Sequence, residues 1–292
     1  MTLPLLLLAA ALDLPLELTT LKVIPPRPNW ELGMISSSAA DGKGTIYLLQ
    51  RGLTAQPVVA INEQGKVLRE WGKGLYQIPH SIRIDPNGNI WTVDSASSRI
   101  IKYSPQGDKL LDFVVGEQPK STSQFVGAAD IAFTPDGHLF IADGYGNARI
   151  LEYDAQGKRL RQWGTPGQGP GELNLPHGIA IDAKEIIYVA DRENGRIQRF
   201  TREGKYLSEI NGHGKTFSLT IKNNALWIGS QSRNEPNGAP GWIMKLDPAT
   251  GKVLGRIDSP GHHSIDVSDK GEILTGVRPD QLLWFRLKPK SR

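Results

Sequence analysis

The strongest constraint on this chain is an internal repeat. Three segments align almost without gaps, Ile82–Tyr103, Ile131–Tyr153 and Ile179–Phe200. Each contains an alternating apolar strand, a polar turn, a second strand ending in Asp, a polar loop and a third strand beginning Arg-Ile. A further turn follows and leads into a fourth strand. Four antiparallel strands with a period of 47 to 49 residues are typical of one blade of a β-propeller.

Weaker copies of the same unit flank these three segments and bring the number of predicted blades to six. The first contains 46–49 and 58–61, the fifth 224–228 and 242–246, and the sixth 264–267, 272–275 and 282–287. No helical period or linker separates the units, and 32 Gly and 20 Pro suit many short turns. The predicted fold is an all-β six-bladed propeller that forms a single domain over residues 17–292.

Residues 1–16 differ from the repeats. An apolar run from Leu3 to Leu12 has the length of a signal-peptide core and is too short to span a bilayer, although no Lys or Arg precedes it. We interpret this segment as a signal peptide with cleavage near Ala9–Ala11, which predicts a periplasmic or secreted protein. The alternative is an apolar N-terminal strand that helps close the propeller, in a protein that stays in the cytoplasm.

Charge and cysteine content narrow the function classes. The net charge of +4 comes from Lys and Arg residues scattered along the chain, so neither a nucleic-acid partner nor a membrane-binding segment is predicted. The chain has no cysteine, which excludes disulfides, thiolate nucleophiles and Cys-ligated zinc. Any transition-metal site must therefore use His with Asp or Glu.

Three histidines precede first strands at equivalent positions. His80 (IPHSI), His177 (LPHGI) and His263 (GHHSI) fall in the second, fourth and sixth blades, 97 and 86 residues apart. First strands line the central channel, and alternate blades of six are related by about 120°, so the imidazoles should converge on the axis. Three histidines with an open fourth position are typical of catalytic zinc, although cobalt, manganese and iron accept similar ligands.

The alternative is three unrelated channel histidines, each satisfied by water or backbone. That is the usual role of one such residue, and the equivalent placement in alternate blades favours the metal. The other histidines are weaker candidates. His138 lies in a turn on the opposite face and is predicted to be exposed, and His213 lies in a glycine-flanked, flexible loop on the correct face. His262 is predicted to point away from His263 because side chains alternate along an extended chain.

Two arginines and a tyrosine are predicted on the histidine face. Arg51 and Arg192 follow second strands of the first and fourth blades, on opposite sides of the channel, and Tyr145 follows that of the third. A rim arginine is commonly solvated or paired with the strand-end Asp. Two of them near a metal favour a carboxylate ligand, which guanidinium binds in bidentate fashion. Tyr145 is either a packing residue or a general base, its pKa lowered by the nearby cations.

These residues lie in motifs of a known family. The units are NHL repeats, and the chain from Ser36 to Leu287 resembles peptidyl-α-hydroxyglycine α-amidating lyase, most specifically in LYQIPHSIRIDPNGNIWTVD, IADGYGNARI, LPHGIAI and YVADRENGRIQRF. The resemblance implies a catalytic zinc bound by three histidines, an active-site tyrosine and two arginines. The matching residues are His80, His177, His263, Tyr145, Arg51 and Arg192.

The chain departs from the family pattern in three places. Gly146, Tyr188 and Arg199 stand where the family has cysteines, so the family's disulfides are absent while the expected active-site residues are retained. The last histidine lies in Gly-His-His-Ser instead of Met-Pro-His-Asp, which leaves open whether the family's structural calcium binds. The first blade is shortened after Arg51, which opens the substrate side. These changes bear on the identity of the substrate more than on metal binding.

The resemblance implies a zinc-dependent carbon–nitrogen lyase that cleaves peptidyl-α-hydroxyglycine, or a related carbinolamide, to an amide and glyoxylate. Its partner is a peptide or small molecule with a C-terminal carboxylate, and we expect a monomer. The alternative is a non-catalytic NHL-repeat module that binds a protein or glycan. A propeller lactonase or esterase is less favoured because such enzymes rely on carboxylate metal ligands.

Overall fold

The computed structural model describes residues 13–116, 123–278 and 281–288. These residues form β-strands, turns and bends, and none of them lies in a helix. Accordingly, no helix in the described part of the chain is long and apolar enough to cross a membrane.

The strands are numbered in chain order. They are β1 (Leu16–Lys22), β2 (Ile35–Ala40), β3 (Thr45–Gln50), β4 (Val58–Asn62), β5 (Val67–Trp71), β6 (Pro79–Ile84), β7 (Ile90–Asp94), β8 (Arg99–Tyr103), β9 (Lys109–Val114), β10 (Asp130–Phe133), β11 (Leu139–Asp143), β12 (Arg149–Tyr153), β13 (Arg159–Trp163), β14 (Thr165–Pro166), β15 (Glu172–Leu173), β16 (Pro176–Ile181), β17 (Ile187–Asp191), β18 (Arg196–Phe200), β19 (Tyr206–Asn211), β20 (Lys215–Lys222), β21 (Ala225–Gln231), β22 (Gly241–Leu246), β23 (Val253–Ser259), β24 (Asp266–Val267), β25 (Ile273–Arg278) and β26 (Gln281–Leu287).

The strands form six four-stranded antiparallel sheets, which confirms the six-bladed propeller. Blades 1 to 5 run from the channel outward as β2–β5, β6–β9, β10–β13, β16–β19 and β20–β23. Blade 6 has the order β24, β25, β26 and β1, so its outermost strand comes from the N-terminus. The short parallel pair β14–β15 lies in the connection between blades 3 and 4. All six predicted repeats therefore correspond to blades.

The N-terminal strand closes the ring. β1 pairs with β26 from Leu16 opposite Leu287 to Lys22 opposite Gln281, and Leu14 and Leu16 are buried in the core of blade 6. Residues just before the predicted domain start at 17 thus belong to the packed fold. The predicted leader and its cleavage region at Ala9–Ala11 fall within residues 1–12, which lie outside the described residues.

The apolar core lies between neighbouring blades. One cluster joins Trp91 and Val93 of β7 to Ile131 of β10 and Ile141 of β11. Strands that are covered on both faces need apolar residues at nearly every position, and β7, β11 and β17 are buried throughout. The outermost strands have only partly buried and exposed positions, as in β9 and β13.

A β-bulge recurs where four first strands enter the channel. The register between first and second strands shifts by one residue, which leaves out Ser36, His80, His177 and Phe217 in blades 1, 2, 4 and 5. A bulge releases one residue from the ladder and re-aims its side chain. The bulged residues therefore stand at equivalent places around the axis.

Candidate active site

The three predicted histidines converge on the channel axis. Their ring centroids lie 4.9 to 5.0 Å apart, and one potential ligand nitrogen of each lies within 4.8 Å of the others. His80 and His177 are buried, and His263 is partly buried. Within the described ranges, these three form the one group of three or more His, Asp or Glu side chains arranged this closely.

Each histidine faces the backbone of the next blade at the equivalent position. The Nδ1–H of His80 donates to the Ala129 carbonyl, and that of His177 donates to the Phe217 carbonyl, both at 2.7 Å. The backbone of Ser36 lies beside His263 and acts to raise the pKa of that imidazole. The Nδ1 atom of His263 is nevertheless buried with no hydrogen bond to any described residue. Blades 2, 4 and 6 thus supply imidazoles, and blades 3, 5 and 1 supply backbone at the same level.

The hydroxyl of Tyr145 lies between two of the imidazoles. Its Oη is 2.9 Å from Nε2 of His80 and 2.8 Å from Nε2 of His177. Since Nδ1 of both rings donates to a carbonyl, both Nε2 atoms carry a lone pair. One phenol hydrogen can satisfy only one of them. The site therefore presents inward-facing lone pairs that its own protons do not satisfy.

Burial keeps the histidines neutral. It lowers the pKa of His80 and His177 well below the usual 6.5, and it lowers that of His263 to about 3, with nearby imidazoles and arginines acting in the same direction. Neutral imidazole is the form that binds a metal.

Burial also raises the pKa of Tyr145 above the usual 10.0, against opposing contributions from Arg192 and Arg51. In the metal-free site, removing the phenolate from water thus outweighs the two guanidinium charges. The lowered pKa expected beside a bound cation stays a prediction.

Tyr145 reaches this position because of the glycine before it. A Cβ on Gly144 would lie 1.9 Å from the carbonyl oxygen of Pro176, the residue before His177. Only glycine allows the loop after β11 to approach β16 this closely. The DGY motif thus has a steric reason as well as a chemical one.

The two predicted arginines flank the histidines. Nε of Arg51 donates to the Pro79 carbonyl at 2.8 Å, and its Nη2 is buried with no hydrogen-bond acceptor among the described residues. Arg192 is 6% exposed, and its Nε donates to Glu193 at 2.9 Å. The Arg192 guanidinium also lies over the ring of Phe217, 4.9 Å from the centroid. Both side chains are thus held in place with donors left for a ligand.

A cavity of about 510 Å³ opens above this site. Arg51, Tyr145, Arg192 and His263 line its polar part, and its apolar lining includes Phe125 and Phe217. The sequence analysis missed both phenylalanines, although Phe217 occupies in blade 5 the place that His80 and His177 occupy in blades 2 and 4. Aligning all six first strands would have identified it.

The remaining histidines differ from one another. His262 points away from the three converging histidines as predicted, with its ring against Phe217 and Nε2 3.2 Å from Oε1 of Gln231, and it also lines the cavity. His138 is not simply exposed as predicted, because its Nδ1 lies 2.7 Å from the buried carboxylate of Glu152. His213 lies in a turn and is 3.0 Å from the Gly251 carbonyl.

Comparisons with known proteins agree with the propeller fold and indicate the family of the chain. A family model described as a 6-bladed beta-propeller matches residues 122–234. A probable peptidyl-alpha-hydroxyglycine alpha-amidating lyase of Caenorhabditis elegans is 31% identical over an alignment that covers 89% of this chain and 84% of that protein. The peptidyl-glycine alpha-amidating monooxygenase of Mus musculus is 31% identical over 89% of this chain, and the matched part spans 31% of its length.

Among solved structures, a streptogramin B lyase superposes with a TM-score of 0.65 at 16% identity, covering 94% of this chain and 98% of that one. At this identity the likeness extends to the fold alone. The relationship to the C. elegans protein is much stronger, because it combines higher identity with nearly complete coverage of both chains. The chain belongs to the peptidyl-α-hydroxyglycine α-amidating lyase family.

Proposed function

We propose that this protein is a metal-dependent lyase that converts a peptidyl-α-hydroxyglycine, or a related carbinolamide, into an amide and glyoxylate. The observation that supports a bound metal is the number of protons available to the buried nitrogens at the axis. Two Nε2 lone pairs, on His80 and His177, face a single phenol hydrogen at 2.8 to 2.9 Å. A third neutral imidazole lies beside them. Such a set of buried acceptors fits a cation.

The ligands fit a divalent transition metal. His80, His177 and His263 would hold it through neutral nitrogens, and the backbone carbonyls behind His80 and His177 would orient the rings. Zinc suits an all-imidazole set, and cobalt, manganese or iron are alternatives. When bound, the metal supplies Lewis acidity, which lowers the pKa of a hydroxyl group beside it.

The arginines suit the carboxylate of the substrate. Arg51 has a buried donor without an acceptor among the described residues, and both Arg51 and Arg192 line the cavity. A hydrogen bond from a guanidinium to a carboxylate is stronger than one to a neutral acceptor. A C-terminal carboxylate bound here would place the neighbouring α-carbon close to Tyr145 and the histidines.

The reaction needs neither an oxidant nor water. The α-hydroxyl proton moves to Oη of Tyr145, whose phenolate form a cation bound beside it would favour over the neutral phenol of the metal-free site, and the oxygen electrons form the carbonyl of glyoxylate. The N–Cα bond breaks, its electron pair goes to the amide nitrogen, and that nitrogen takes up the proton that Tyr145 has accepted, which restores the phenolate. Arg51 and Arg192 hold the carboxylate as charge develops next to it. Proton transfer by a positioned side chain contributes about 10²- to 10⁴-fold to such a rate.

The test is glyoxylate release from a synthetic peptide that ends in α-hydroxyglycine, measured with and without chelator. Release that chelator abolishes and Zn²⁺ restores is the expected result. If the protein holds one metal per chain and releases no glyoxylate, the proposed substrate is refuted and the proposed metal site is retained. A protein with neither metal nor release, whose His80→Ala variant behaves like the wild type, would support the non-catalytic NHL binding module instead.

A further inference from the structure

A buried ion pair fills the channel below the histidines. Arg83 of β6 and Asp130 of β10 form a fork, with Nε 3.0 Å from Oδ1 and Nη2 2.7 Å from Oδ2. The Asp130 side chain is 4% exposed and that of Arg83 is 15% exposed. The space between this pair and the three imidazoles is only about 10 Å³. The pair therefore closes the channel below the site.

The pair contacts all three segments that carry the histidines. On the His80 strand, the hydroxyl of Ser81 donates to Asp130 at 2.6 Å. On the His177 strand, the Ile179 amide donates to Asp130 at 3.4 Å. From across the channel, Nη1 of Arg83 donates to the Ile265 carbonyl at 3.2 Å, two residues after His263.

Asp130 also lies directly after Ala129, whose carbonyl accepts the Nδ1–H of His80. No other charged side chain is needed to connect these segments, although Asp266 lies near enough to add to the negative field at Arg83. A single fork thus joins the backbones behind the whole histidine set.

The His263 segment depends most on such contacts. His80 and His177 lie within strands, whereas residues 261–265 have no regular strand and β24 is only two residues long. Side chains of other blades hold this segment in place of a ladder. Besides Arg83, the Ser218 hydroxyl donates to the His262 carbonyl at 2.8 Å, and the hydroxyls of Ser37 and Ser264 lie 2.8 Å apart.

Stability alone does not account for the pair. Removing two charges from water costs about as much as their attraction returns, and well-packed apolar replacements are often as stable. A role in specifying geometry explains why one buried fork connects segments of blades 2, 3, 4 and 6 directly behind the histidines.

We propose that Arg83 and Asp130 are positioning residues that set the spacing of His80, His177 and His263 for their metal. The inference rests on the proposed metal site and concerns residues that do not touch the substrate. Groups that orient metal ligands from behind typically change metal affinity by about 10- to 100-fold when they are removed.

The test compares the wild type with a double variant, Arg83→Met with Asp130→Asn, which removes both charges and leaves no unpaired ion. The matched control is Arg99→Met with Asp112→Asn, a fork in the outer strands of the same blade with both contacts at 2.7 Å. Zn²⁺ dissociation constants are measured by competition with a chromogenic chelator. Urea unfolding of the metal-free proteins and the visible absorption of the Co²⁺ forms are measured in parallel.

We expect the Arg83/Asp130 variant to bind Zn²⁺ about 10- to 100-fold more weakly with an altered Co²⁺ spectrum, and the control to match the wild type in both. Zn²⁺ affinity within twofold of the wild type in a folded variant would overturn the inference and leave the proposed function intact. A wild type that binds no Zn²⁺ would overturn both.

If the double variant fails to fold, the single variant Arg83→Lys provides the test of the positioning role. It keeps the charge beside Asp130 but cannot also reach Ile265, so about tenfold weaker Zn²⁺ binding is expected. Unchanged binding in that variant would equally overturn the inference.

Discussion

Replacing Tyr145 by phenylalanine tests the proton count and the proposed base together. In the metal-free protein the hydroxyl makes one good hydrogen bond to His80 or His177 and one contact between lone pairs. Losing one net hydrogen bond costs about 0.5–1.5 kcal/mol, and relief of the lone-pair contact reduces that figure. We expect the free energy of unfolding to fall by about 1 kcal/mol or less.

The effect on turnover should be far larger. A proton acceptor that contributes about 10²- to 10⁴-fold lowers the barrier by about 2.7–5.5 kcal/mol. Turnover of the Tyr145→Phe variant, measured as glyoxylate release from the metal-loaded protein, should fall accordingly. The loss of catalysis should therefore exceed the loss of stability several-fold.

Tyr76→Phe is the matched control. The Tyr76 hydroxyl is buried between the Thr92 hydroxyl at 2.7 Å and the Tyr103 hydroxyl at 2.9 Å, away from the cavity. It should lose about 1–2 kcal/mol of stability with turnover unchanged. Normal turnover in Tyr145→Phe would refute the base, and a stability loss as large as that of Tyr76→Phe would refute the proton count.

Three further outcomes follow from the site. Because burial lowers the pKa of His263 to about 3 and that of His262 to about 4, the unfolded chain takes up protons first as the pH falls below 6.5. The free energy of unfolding of the metal-free protein should fall by up to about 1.4 kcal/mol per pH unit for each such group. Between pH 7 and pH 5, the urea midpoint of the His262→Gln variant should therefore fall less than that of the wild type. Arg51→Gln should weaken substrate binding about 10- to 100-fold with Arg51→Lys intermediate, and an unchanged KM would remove Arg51 from carboxylate binding. Phe217→Leu should raise KM about 2- to 5-fold by removing the ring below Arg192, whereas Phe217→Tyr should not, and equal effects would point to cavity shape instead.

The fold was predictable because its information is local. Strand alternation, turn residues and the strand-end Asp94, Asp143 and Asp191 recur in every strong repeat, and five of the six blades are built from consecutive strands. The closing strand β1 was not predicted, because it pairs with β26 at the other end of the chain and no neighbouring residue indicates that partner. The alternative interpretation of an N-terminal closing strand concerned the apolar run from Leu3 to Leu12, which lies outside the described residues.

The positions of the metal-ligand candidates were predictable for a related reason. Rotational symmetry converts equivalent places in a repeat into equivalent places around an axis, so His80, His177 and His263 had to approach one another. Their environment was not predictable in the same way. The raised pKa of Tyr145 in the metal-free site, for example, depends on every element that covers the phenol, including residues distant in sequence.

The sequence by itself determined six blades, the face on which the site lies and which three histidines meet there. Only the tertiary structure decided how they are held, through bulges at the strand starts, backbone acceptors from the next blade, and the Arg83–Asp130 fork. The physical reason is that these contacts join residues 40 to 182 positions apart in different blades. Such contacts are set by packing between repeats, which the pattern within one repeat does not contain.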